Sequence, residues 1–181
     1  PHPRRYFGPK DPPFSLTPIR SKVRHLGPLG VDLILLLHFD EKLSQKPADE
    51  FVRELLAEAF AVSKVVVGYD FVFGHDRKGD VPLLKILAKK YGFSVAVIEP
   101  VGTVDGEVYS STRIREYLAA GKPGHAAALL GRPFEIEGRV LHGDRRGVKI
   151  GFPTANIGLG DYVRPAFGVY AVRAGEARGD D

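Results

Sequence analysis

The chain has 181 residues, 44% of them hydrophobic and 27% charged, with a formal net charge of +4 and no cysteine. That is an ordinary globular composition, enough for one domain or two small ones. It excludes disulfide frameworks and thiolate metal sites, and no apolar run reaches membrane-spanning length.

In chain order, TPIRSKVRHLGPLG predicts a short helix from about Thr17, broken at Gly27-Pro28. VDLILLLHF (31–39), the longest apolar run, reads as a buried strand by length and branching. PADEFVRELLAEAF (47–60) reads as an amphipathic helix with Phe51, Leu55, Leu56 and Ala59 on one face. SKVVVG (63–68) is a second buried strand. GDVPLLKILAKKYG (79–92) is a helix capped by Asp80 and stopped by Gly92. FSVAVIEP (93–100) is a third strand, GEVY before Ser110 a further one, and STRIREYLAAG (111–121) a helix ended by glycine. Strands alternating with helices imply parallel pairing in βαβ units, an α/β fold.

The pattern changes after Gly131. PFEIEGRVLHG and FGVYAVRA alternate in β fashion with Gly-rich connections, so a second, all-β module is expected from residue 131 to 181, after a first domain over 1–130. AGKPGHAAALLG (120–131) is then a helical connector. The chain starts at Pro1, contains no Met and stops in GEARGDD, which reads as a fragment or a processed product.

Charge and spacing narrow the chemistry. The basic excess is mild and mixed with Asp and Glu, whereas nucleic-acid binders gather it into a stripe. The short cluster of Arg145, Arg146 and Lys149 suits a small anion such as a nucleotide. In SSTRIREYL (110–118), Ser110 or Ser111 caps a helix whose start carries Arg113 and Arg115 where acids are usual. Ser111 and Arg115 are four apart and share a helical face. Hydroxyls, open N–H groups and a guanidinium at one helix start make a phosphate site. The alternative is a capped surface helix with solvated arginines.

VGYDFVFGHDRKGD (67–80) follows a buried strand, where open α/β sheets bind ligands. Phe71 and Phe73 share a face if extended and could stack on a flat ring, with Asp70 accepting hydrogen bonds. Two core phenylalanines beside a solvated turn would look the same. PHPRRYF at the start holds a conformationally stiff His2, or is simply a frayed end. In GVKIGFPTANIGLG (147–160), Thr154 and Asn156 are two apart and point the same way on a strand. A hydroxyl and an amide oxygen of that kind suit Mg²⁺ held with nucleotide phosphates. The alternative is a satisfied turn before a strand. No Walker A, Gly-x-Gly-x-x-Gly or His-Glu-x-x-His is present, and His25, His38, His75 and His125 lack ligand spacing.

The order PHP…F, VGYDFVFG…GD, SSTRIR, GRVLHGD…GFPTAN and RPAFGVYAV resembles the bacterial bifunctional riboflavin kinase/FMN adenylyltransferases, or FAD synthetases, over Pro1 to about Ala174. The resemblance implies a Rossmann-like nucleotidyltransferase domain followed by a small Greek-key β-barrel kinase module. It implies phosphorylation of riboflavin to FMN and adenylylation of FMN to FAD, both from ATP with Mg²⁺, in the cytoplasm. It implies that Ser110, Ser111, Thr112 and Arg115 bind ATP phosphates, Arg115 carrying the main catalytic charge. His2, Pro3, Phe7, Asp70 and Phe73 are implied around the flavin, and Thr154 and Asn156 at the kinase Mg-nucleotide. The family's His-x-Gly-His signature would precede Pro1 and its kinase base, a Glu, would follow GVYAV, so both domains are expected to be incomplete here and the chain by itself inactive. Partners are then small molecules, with no nucleic acid and no membrane. The rivals are a nucleotidyltransferase with another acceptor, which GFPTAN disfavours, and a non-catalytic flavin or nucleotide binder.

Overall fold

The computed structural model describes residues 3–103, 106–143, 151–152 and 154–175. His2, Arg145, Arg146, Lys149 and Pro153 lie outside the described residues. In chain order the elements are helices α1 (Pro3–Phe7), α2 (Ile19–Leu26), α3 (Glu41–Ser44) and α4 (Ala48–Glu50), a π-helical run Phe51–Ala59, strand β1 (Lys64–Gly68), helix α5 (Val81–Tyr91), strand β2 (Ser94–Ile98), helices α6 (Ser111–Ala119) and α7 (Pro123–Leu130), and short strands β3 (Val140–Leu141) and β4 (Asn156–Ile157). They fall into two compact units: Pro1–Pro12 with Gly27–Tyr109, and Pro13–Leu26 with Ser110–Asp181.

The first unit is built on a β1–α5–β2 crossover. β1 and β2 pair in parallel from Lys64 opposite Ser94 to Gly68 opposite Ile98, as the βαβ spacing predicts. α5 begins where the Asp80 carboxylate accepts the Leu83 N–H at 2.9 Å. It ends at Gly92, whose φ of 80° is open to glycine without strain. Leu84, Leu87 and Ala88 form its buried stripe, against Ala48, Val52, Phe73 and Phe93. A fully buried Leu such as Leu84 contributes about 1.5–3 kcal/mol of transfer free energy.

The helix expected over 47–60 forms, with a different buried face. From Phe51 it is π-helical, and the Phe60 N–H reaches back five residues to Leu55 O at 3.0 Å. This wider repeat turns side chains off the 3.6-residue period. Val52 is therefore the buried residue, Phe51 and Leu56 pack partly buried against the core, and Ala59 is exposed.

The second unit has its own core, made by Ile114 and Leu118 of α6, Ala126 and Leu129 of α7, and Leu16. α7 starts with Pro123, already at a helical φ, and stops at Gly131, where φ is 67°. Ser15 bridges Tyr162 in parallel; its N–H donates to Asp161 O at 3.0 Å, and Val163 N–H donates to Ser15 O at 2.9 Å. β3 and β4 pair antiparallel, Val140 with Ile157 and Leu141 with Asn156.

Five expectations need correction. Residues 31–39 carry no strand, and Leu33 and Leu36 are 80% and 66% exposed. Apolar extended chain is buried only when neighbouring strands and a covering layer meet it, and among the described residues no strand pairs with this run. FGVYAVRA also lacks a ladder among the described residues, and Val169 is fully exposed. With β3 and β4 as its two short strands, the second module shows no closed barrel among the described residues. GEVY contributes a single bridge, Gly102 to Val108. PRRYF, read as a frayed start, is helical as α1.

Candidate functional site

β1 ends at Gly68, and the chain leaves the sheet at its carboxyl edge. Tyr69 N–H still donates to Ile98 O at 3.0 Å, and Phe71 N–H turns back to Gly68 O at 3.1 Å. Asp70 stands exposed in that turn, its Oδ1 3.1 Å from where a Cβ on Gly68 would sit. Phe71 and Phe73 stack on each other, centroids 5.4 Å apart and rings 20° from parallel. Phe73 also meets Phe51 at 5.7 Å and belongs to the core, while Phe71 is half-buried.

Phe73 and Gly79 then exchange backbone hydrogen bonds of 3.0 and 2.9 Å, closing a loop over 73–79. Gly79 is required there, since a Cβ would meet the Phe73 ring at 2.7 Å. Gly74, with φ of 73°, has Ala48 Cα 2.7 Å from its missing Cβ. Beside this loop Lys46 and Glu54 pair at 2.5 Å. The Lys46 hydrogen bond holds the Glu54 carboxyl below its ordinary value, against the opposing pull of burial.

Near the start of the chain, Phe7 is 71% exposed and makes edge contacts with Tyr6 at 5.2 Å and Phe39 at 5.8 Å. Pro3 opens α1 and is exposed. These residues, with Asp70 and Phe73, belong to the first unit.

Ser110 to Arg115 belong to the second unit. Ser110 takes the cap position of α6 with extended backbone and makes no capping bond with its side chain. The first turn holds no acid, so the positive end of the helix dipole has no carboxylate of its own there. Ser111 and Thr112 are exposed. The two arginines diverge in role: Arg113 pairs with Glu116 at 2.9 Å and lies over the Tyr117 ring at 4.7 Å. Arg115, half-buried, donates from Nε to Phe14 O at 2.8 Å.

Thr154 and Asn156 are both exposed. The β4 ladder starts only at Asn156, so Thr154 lies just before it. The Asn156 amide nitrogen closes on the space a Cβ of Gly143 would fill, which makes that glycine part of the turn. A hydroxyl and an amide oxygen offer neutral oxygen ligands that fit Mg²⁺ carried by nucleotide phosphates.

One polar cluster in the second unit has no motif to announce it. Ser21 is buried and bonds the Tyr162 hydroxyl at 2.5 Å. Glu135 takes Arg24 and His25, each at 2.6 Å, and Glu137 takes Arg20 at 3.2 Å. Burial pushes the Glu135 carboxyl up, but the hydrogen bonds from His25 and Arg24 outweigh it and leave it below its ordinary value. Only a charge-bearing helix at 19–26 opposite an alternating Glu-x-Glu hints at it in the sequence.

Two family profiles match the chain in succession, FAD synthetase over residues 1–113 and riboflavin kinase over residues 130–179. The protein is 41% identical over 172 residues to the bifunctional riboflavin kinase/FMN adenylyltransferase of Escherichia coli K12, covering 95% of this chain and 55% of that one. It is 40% identical over 171 residues to the like-named enzyme of Haemophilus influenzae, covering 94% and 55%. The chain thus spans about half the length of the curated relatives it matches. A solved structure described as a macrolide-efflux protein from Streptococcus pneumoniae superposes with a TM-score of 0.69 at 35% identity, over 86% of this chain and 49% of that one. Among the described residues no helix is long and apolar enough to cross a membrane. With the FAD synthetase profile covering more than half of its length and a riboflavin kinase segment behind it, this chain belongs to the FAD synthetase family.

Proposed function

We propose that the protein encoded by the whole reading frame of this chain carries out FAD biosynthesis in two ATP-dependent steps, phosphorylation of riboflavin to FMN and adenylylation of FMN to FAD. The observation that carries the reading is the succession of the two family matches, FAD synthetase and then riboflavin kinase, on one polypeptide. We assign the first step to a Greek-key barrel module over 131–181 and the second to a Rossmann-like domain over 1–130.

In the second step a phosphate oxygen of FMN attacks the α-phosphorus of ATP, and the bond to the β-phosphate breaks to release pyrophosphate. Little covalent work falls to the protein, so binding and charge neutralisation dominate. Ser110, Ser111 and Thr112 offer hydroxyls and first-turn N–H groups at the positive end of α6, whose first turn holds no acid. Arg115 supplies a guanidinium for the charge that builds up on the phosphates. His2, Pro3, Phe7, Asp70 and Phe73 are assigned to the flavin, Phe73 through the Phe71 ring stacked on it.

In the first step the ribityl hydroxyl of riboflavin attacks the γ-phosphorus and ADP leaves. Thr154 and Asn156 are the residues that would hold Mg²⁺ with the nucleotide. The metal would neutralise phosphate charge. We place both steps in the cytoplasm, with ATP and flavins as the only partners required.

The test is to express the whole reading frame that encodes this chain, incubate the protein with riboflavin and ATP with Mg²⁺, and separate the flavins. FMN followed by FAD is expected. Tight binding of flavin with no turnover would favour a non-catalytic binder, and turnover of another acceptor would assign a different transferase.

A further inference from the structure

The 73–79 loop is pinned from one side, and His75 is the pin. Its backbone N–H donates to Lys46 O at 2.8 Å. Its ring Nδ1 lies 3.1 Å from Ser44 O, and its Nε2 lies 3.3 Å from the Asp76 carboxylate. A backbone carbonyl and an ionised carboxylate can both only accept. Both ring nitrogens must therefore carry hydrogen for both contacts to be attractive, and that is the imidazolium. The neutral ring can serve one of the two and turns a lone pair on the other.

The contact with Asp76 matters because the loop tip is strained. Asp76 and Arg77 sit at φ of 55° and 57°, a left-handed conformation that is strained for a non-glycine residue. The charged groups on the elements around the ring are these: Lys46 is committed to Glu54, Asp40 caps α3 and Glu41 and Lys42 lie on it, Asp49 and Glu50 are on α4, and the loop itself holds Arg77 and Lys78. Lys78 approaches the same Asp76 oxygen at 3.6 Å. The loop is closed at its base by Phe73 and Gly79, and Phe73 stacks on Phe71, next to Asp70.

We propose that His75, as an imidazolium bridging Ser44 and Asp76, is a positioning residue for the flavin side of adenylyl transfer. It holds the loop to the end of α3 and, through the Phe73–Phe71 stack, fixes the turn that presents Asp70. This rests on the proposed flavin role of Asp70.

The test measures two things on the same samples between about pH 5.5 and 8.5, where histidine side chains ordinarily change charge. One is amide hydrogen exchange at Phe73 and Gly79, corrected for intrinsic rates. The other is FMN affinity by quenching of flavin fluorescence. His75→Asn is the reference, because its amide N–H can stand in for Nδ1 toward Ser44 and has no charge to lose. Using it also cancels the titration of FMN's own phosphate. His75→Ala removes both contacts.

Wild-type protection at both amides should fall as pH rises. Over the same interval the ratio of wild-type to His75→Asn dissociation constants should rise about two- to fivefold, the worth of one exposed ion pair. His75→Ala should be weak throughout. If that variant does not fold, the wild-type and His75→Asn comparison decides alone. A ratio that stays constant with pH overturns the proposal, as does a loop that loosens while FMN affinity does not follow. A wild-type protein that binds no FMN at any pH while its loop responds as expected overturns the flavin reading, and the positioning role with it. If the exchange is flat as well, the His75 bridge falls separately.

Discussion

Arg115 and Phe14 hold each other twice: Nε donates to the Phe14 carbonyl at 2.8 Å, and the guanidinium carbon lies 5.6 Å from the centre of the Phe14 ring. The backbone carbonyl fixes the direction of the guanidinium, and the Phe14 ring packs beside it. A charge so held needs little reorganisation when phosphate charge develops beside it. Arg115→Ala should lower FAD formation by about 10²-fold or more, and Arg115→Lys by about tenfold, since a lysine lacks the planar fork. Phe14→Leu keeps the carbonyl and loses only the ring, so a few-fold loss is expected. Riboflavin phosphorylation, measured on the same protein, should stay within about twofold in all three. Equal loss of both activities would instead indicate a misfolded α6.

Two glycines at positive φ differ in both strain and crowding: Gly92 is left-handed helical at ψ of 30°, whereas Gly74, at ψ of 175°, holds an extended conformation open essentially to glycine alone. Gly92 ends α5 at φ of 80° and has nothing within 4 Å of the place an added Cβ would take, whereas Gly74 at φ of 73° faces the Ala48 backbone at 2.7 Å. Gly92→Ala should cost about 1–2 kcal/mol, the backbone strain alone. Gly74→Ala adds the greater strain of its extended backbone and overpacking against a rigid main chain, together about 1–3 kcal/mol more. Urea midpoints at constant slope measure both. Equal costs would mean that the α4 start yields freely, and that the 73–79 loop is less tightly docked than its contacts indicate.

What is legible in the sequence follows from how local each cause is. Asp80 and Gly92 act within one turn of α5, so its limits can be read from residue type alone. The parallel β1–β2 pair follows from a helix between two Val-rich runs. The 31–39 run departs from its expected strand because burial of an extended segment is decided by its neighbours, which composition does not carry. The buried face of 47–60 departs because the wider π-helical turn leaves no mark in the hydrophobic period. The Ser-Ser-Thr-Arg-Ile-Arg motif points to Arg115, but its anchor Phe14 is 101 residues away in sequence, and only the fold joins them. His75 has no metal-ligand spacing to mark it. Its partners Ser44 and Lys46 lie at and just beyond the end of α3, a single turn too short to show a period.

The ion-pair cluster around α2 should make stability pH-dependent in one direction. Burial raises the Glu135 carboxyl, the His25 and Arg24 hydrogen bonds lower it more, and the net position is below the ordinary value. A group depressed in the folded state contributes fully above its unfolded pKa, about 4.3 for Glu, and that contribution fades as pH falls through the folded value. Glu135→Gln should therefore lower Tm near pH 7, and the difference from wild type should shrink as pH falls from about 5 to about 3. Thermal melts followed by circular dichroism give the comparison. A difference that persists undiminished at the acid end would assign Glu135 a packing role that does not depend on its charge.

Thr154 and Asn156 are expected to act on one Mg-nucleotide. Both are exposed just at the start of β4, where their polar groups have no burial to justify them, and Gly143 leaves room for the Asn156 amide. Thr154→Ala removes a hydroxyl before the ladder begins and should leave β4 paired with β3. Asn156→Ala removes an amide oxygen within the ladder, whose backbone bonds do not depend on the side chain. Each change should abolish most riboflavin phosphorylation, on the order of 10²-fold, while adenylylation of supplied FMN stays nearly intact. Two ligands of one ion cannot be lost twice, so the double variant should lose much less than the product of the single losses. The Mg²⁺ concentration for half-maximal rate should rise in each single variant. Multiplicative losses with an unchanged Mg²⁺ requirement would sink the shared-metal assignment and return both residues to an ordinary turn.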